Sequence, residues 1–108
     1  MKEPTEAQIK EFWEWCGFER LPEGKKGFHF HNPYGLLIWK PPDATEWYHT
    51  QTHLPRIDLN NLFKYAVPKV EKDRLNDILV AWAYTVAYLK EQDPALALFW
   101  AIWEVFNP

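Results

Sequence analysis

One segment constrains the fold more than any other: Asp93-Pro94-Ala95-Leu96-Ala97-Leu98-Phe99-Trp100-Ala101-Ile102-Trp103-Glu104-Val105-Phe106. Asp93 suits an N-cap, and Pro94 suits the first helical position, where no backbone N–H is required. No breaker interrupts the run before Asn107-Pro108. At about 100° per residue, Ala95, Phe99, Ile102 and Phe106 form one stripe. Leu98 and Val105 flank it on one side and Trp103 on the other, leaving Ala97, Trp100, Ala101 and Glu104 opposite. A helix whose only charge after its cap is Glu104 is the hub of a core. The rest of the chain has to supply what covers it.

With 108 residues, 18% of them aromatic and seven of them Trp, the chain is expected to form a single domain over 1–108 with a core of large, flat side chains. Net charge is −3, so there is no overall electrostatic footprint for nucleic acid. Lys25-Lys26 and the stretch Lys69 to Arg74 are the basic concentrations, and Glu71 and Asp73 dilute the second. The single Cys16 excludes an intrachain disulfide and fits a reducing compartment. The polar start Met1-Lys2-Glu3-Pro4 does not read as a signal peptide, and no apolar run reaches the roughly 20 residues of a membrane span. The expectation is a cytoplasmic protein that engages neither membrane nor nucleic acid.

Along the chain, Thr5-Glu6-Ala7-Gln8 is a capping box, followed by Ile9, Phe12, Trp13 and Cys16 on one helical face. Gly17 is placed to end that helix, over about 6–16, as a left-handed cap with Phe18 folding back onto it. Cys16 then falls on the buried stripe and Trp15 outside it. Residues 19–27, with Pro22, Gly24 and Gly27 among charges, are expected to form a loop. Phe28-His29-Phe30-His31 alternates as a strand does, Asn32-Pro33-Tyr34-Gly35 is a turn, and Leu36-Leu37-Ile38-Trp39 is the return strand, stopped by Pro41-Pro42-Asp43. Asp58 caps a second helix with inner stripe Leu59, Leu62, Phe63 and Ala66, which Pro68 ends or kinks.

Residues 75–90 carry two periodicities at once. As a helix, Leu75, Ile78, Leu79, Trp82, Val86 and Leu89 share one side. As a strand, Ile78, Val80, Trp82, Tyr84, Val86 and Tyr88 face one way, while Leu79, Ala81, Ala83, Thr85, Ala87 and Leu89 face the other.

Two segments, Leu54-Pro55-Arg56-Ile57-Asp58-Leu59-Asn60-Asn61-Leu62-Phe63-Lys64-Tyr65-Ala66-Val67-Pro68-Lys69 and Asp93-Pro94-Ala95-Leu96-Ala97-Leu98-Phe99-Trp100-Ala101-Ile102, resemble small uncharacterised phage or prophage proteins. More loosely, the order of elements is similar to that of the phage ABA sandwich domain family. The resemblance implies a helix–sheet–helix arrangement of phage or mobile-element origin, and it inclines residues 77–89 toward a strand. It brings no catalytic residues with it. Where that family would show two strands and a turn, residues 70–90 here run on without interruption.

Little in the chain points to catalysis. There is no Ser, Cys16 falls on a core stripe, and only four Gly are present, in no phosphate-binding pattern. The pairs Glu11/Glu14 and Asp73/Asp77 have the spacing of solvated helix surface. The histidines are the one set with ligand chemistry: His29-x-His31 puts two imidazoles on one face of a strand, and His49 and His53 converge only if their segment is helical. No Cys pair or carboxylate cluster completes a site, so the preferred assignment is no metal and no cofactor, with His29 and His31 on the polar outer face of the strand.

The expected fold is therefore α+β, three helices packed on a small antiparallel sheet in the order α-β-β-α-β-α. The alternative is mostly α with one β-hairpin and residues 74–90 as a fourth helix. The expected function is that of a non-catalytic accessory protein of phage or prophage type, binding an unknown protein partner or forming a homodimer. The alternative is a small His-based zinc enzyme or sensor. Trp100, a large aromatic among small residues opposite the Phe99–Ile102 stripe, is the candidate interaction anchor, and Trp15 the candidate extension of that patch.

Overall fold

The computed structural model describes residues 2–20, 38–44, 53–89 and 93–107. They belong to two compact units, Glu6–Pro55 and Met1–Thr5 with Arg56–Pro108. The described residues are mostly helical, with four helices and one two-stranded antiparallel sheet.

In the unit Glu6–Pro55, helix α1 (Glu6–Trp15) places Phe12 and Trp13 fully out of solvent. The helix ends as the sequence predicts. Gly17 takes φ 107°, the Gly17 N–H donates to the Glu14 carbonyl at 3.0 Å, and the Phe18 N–H donates to the Trp13 carbonyl at 3.0 Å. This pair of bonds is the Schellman arrangement, which satisfies carbonyls the helix leaves open. Its hydrophobic clasp is present too, because the Trp13 and Phe18 rings meet edge-on at 5.7 Å. Cys16 is buried at the end of the same stripe, a core position as expected.

Past the cap the chain forms strand β1 (Glu19–Arg20), paired antiparallel with β2 (Trp39–Lys40) in the register Glu19↔Lys40 and Arg20↔Trp39. β2 overlaps the end of the expected return strand, and Trp39 is buried within it. Glu19 and Arg20, read from sequence as the start of a loop, are instead its partner. Both are exposed, so no apolar alternation marked them. The expected strand 28–31 and turn 32–35 lie outside the described residues. Just beyond β2, Pro42 approaches Gly17 so closely that a Cβ there would meet the Pro42 Cβ at 2.8 Å.

In the unit Met1–Thr5 with Arg56–Pro108, Asp58 caps helix α2 (Leu59–Asn61), its carboxylate accepting the Asn61 N–H at 2.8 Å. The helix then widens into a π turn (Leu62–Ala66) and tightens into a 3-10 turn (Val67–Lys69). Pro68 accounts for the change. In an unbroken α-helix its ring would press on the Lys64 carbonyl, and it has no N–H to offer that carbonyl. The Val67 N–H reaches back to the Leu62 carbonyl, and the extra residue in the turn opens the room the ring needs. Leu62 and Ala66 remain buried, but Phe63, expected on the inner stripe, is 42% exposed.

Residues 77–89 do not form a strand. They lie in helix α3, Lys72–Tyr88, with Leu89 as its C-cap, and the order α-β-β-α-β-α gives way to a mostly helical chain with a small hairpin sheet. The alternating set itself shows why. Ile78, Trp82 and Val86 are half-buried, whereas Val80, Tyr84 and Tyr88 are exposed. What looks like one face at period 2 is two opposite faces at period 4. Neither Gly nor Pro interrupts Lys72–Tyr88, and alanines at 81, 83 and 87 add strong helix formers to the outer side.

Helix α4 (Pro94–Phe106) closes the unit: Phe99 and Ile102 of the expected stripe are buried, whereas Ala95 and Phe106 are only half-buried and Ala97, expected opposite, is buried as well. The Asp93 carboxylate accepts from the Ala95 and Leu96 N–H groups at 2.8 and 3.2 Å. Leu96, Ala97, Leu98, Phe99 and Ile102 are buried, and α4 packs against α2, the π turn and α3. Burying each of the large side chains contributes roughly 1.5–3 kcal/mol.

Candidate interaction surface

Helix α3 is the least buried of the long helices. None of its residues is fully buried, so it lies on α4 by one side alone. That side is fixed by Trp82, whose indole N–H donates to the Pro94 carbonyl at 2.8 Å. The same indole takes the Phe63 ring edge-on at 5.9 Å. With Trp82 turned inward, the 3.6-residue repeat turns Val80, Tyr84 and Tyr88 outward.

These three are exposed at 47%, 60% and 75%. Tyr84 and Tyr88, one turn apart, stack with ring centroids 5.6 Å apart and planes 12° from parallel. Beside them Ala83 and Ala87 floor a shallow apolar depression of about 210 Å³. Asp73 and Asp77, both exposed, occupy the amino-terminal end of the same face. The result is a stripe with aromatic ridge and small-residue groove side by side, acidic at one end. A second depression, about 270 Å³, is lined by Arg74, Asp77, Ile78 and Ala81 of α3 with Ala101 and Glu104 of α4. Its mixed charges select no one ligand class.

Trp100 is half-buried, and its indole N–H donates to the Lys2 carbonyl at 2.8 Å. Its ring meets Phe99 edge-on at 4.9 Å and Trp103 at 6.1 Å. The segment beside it is thus the residues preceding α1. Trp15 is also half-buried, against Phe12 at 6.2 Å, and belongs to the other compact unit. His53 is exposed, while His29, His31 and His49 lie outside the described residues. Among the described residues there is no group of three or more His, Cys, Asp or Glu that could hold a metal ion, and no helix is long and apolar enough to cross a membrane.

Read as a strand, the sequence groups Val80, Tyr84 and Tyr88 with Trp82 on one face and so conceals the α3 stripe. Its signal is the i, i+4, i+8 spacing of Val80, Tyr84 and Tyr88 beside Ala83 and Ala87. No family model matches this chain, and no curated protein or solved structure shows significant similarity to it.

Proposed function

We propose that this chain is a non-catalytic binding protein that acts through protein–protein contact. One observation carries the proposal: the outward stripe Val80, Tyr84 and Tyr88 on a helix whose opposite side is already engaged. Large stacked aromatics next to a small-residue groove bring much apolar area to a docked partner. An accessory role of phage or prophage type is part of the same proposal and rests on the sequence resemblance of segments 54–69 and 93–102 alone.

The test is the native size of the tagged chain in extract of its host, beside the double variant Tyr84→Glu/Tyr88→Glu. The wild type is expected to migrate well above its 12.9 kDa mass, and the variant to return toward it. A wild type running as a bare monomer in the same extract would overturn the binding role.

A further inference from the structure

We draw no further inference here: the strongest candidate, the outward apolar face of helix α3 that carries Val80, Tyr84 and Tyr88, belongs to the surface already described, and nothing in the structure shows what covers it.

Discussion

Trp82 and Pro94 are joined by a hydrogen bond of 2.8 Å, from the indole N–H of α3 to the carbonyl that opens α4. Through it the one polar atom of a large apolar side chain is satisfied, and the rotation of α3 about its own axis is set. With Trp82 turned toward α4, the helical repeat leaves Val80, Tyr84 and Tyr88 facing outward.

Trp82→Phe keeps an aromatic ring and removes the donor, so it is expected to cost about 1 kcal/mol. Trp82→Ala also removes the ring against Phe63 and should cost about 2–4 kcal/mol. For a chain of this size, 1 kcal/mol lowers the melting temperature by roughly 4–8 °C. Thermal melts by circular dichroism read both values. Equal melting temperatures for wild type and both variants would show that Trp82 does not lock the helix.

Gly17 faces two obstacles to substitution, a left-handed φ of 107° and Pro42 at 2.8 Å from any added Cβ. Gly17→Ala is expected to destabilise by about 1–3 kcal/mol. Combining it with Pro42→Gly relieves the contact but not the backbone strain. Relative to Pro42→Gly alone, adding Gly17→Ala should therefore cost less than it does in the wild type, though not nothing. Chemical denaturation of the four proteins gives the coupling. Zero coupling would mean that Pro42 gives way freely.

Much of this architecture is legible in the residues, and the parts that are not fail for particular reasons. Caps carry their own chemistry: Gly17 with Phe18, Asp58 and Asp93 each do in the structure what their residue types imply. The burial of Phe99 and Ile102 follows from the charge-poor run that holds them. At α3, alternating bulky residues and a helical stripe coexist in one sequence. Residues 72–88 form one helix, which turns Trp82 toward Pro94 and Val80, Tyr84 and Tyr88 to the other side. The sheet was hard to see because Glu19 and Arg20 are exposed and polar, so their pairing with Trp39 and Lys40 leaves no periodic trace. The outward stripe Val80, Tyr84 and Tyr88 is illegible for the same reason, since a face can be named only after the element's period is known.

Phe99 is fully buried at the middle of α4, with Trp100 and Trp103 packed on its ring. Phe99→Ala is expected to cost on the order of 3–5 kcal/mol. A small domain has about 5–10 kcal/mol in all, so the variant should be partly unfolded or strongly heat-sensitive. Near-wild-type melting would place the centre of the core elsewhere.

Trp100 offers a contrast between a tether within the chain and an anchor for a partner. Its indole N–H holds the Lys2 carbonyl at 2.8 Å, and its ring leans on Phe99 and Trp103. Trp100→Phe keeps a ring in place but releases Lys2, so it is expected to cost about 1 kcal/mol or less. Its main effect should be local: the heteronuclear NOE at Glu3 should fall as the segment before α1 gains motion on the picosecond-to-nanosecond scale. Association through α3 should be unchanged, because Tyr84 and Tyr88 are untouched. The expectation from sequence, in which Trp100 itself seats a partner, requires the opposite result. Loss of the complex in host extract in Trp100→Phe with an unchanged NOE at Glu3 would move the interface from α3 to α4. Native size in extract and NMR on the same variant therefore decide between the two helices.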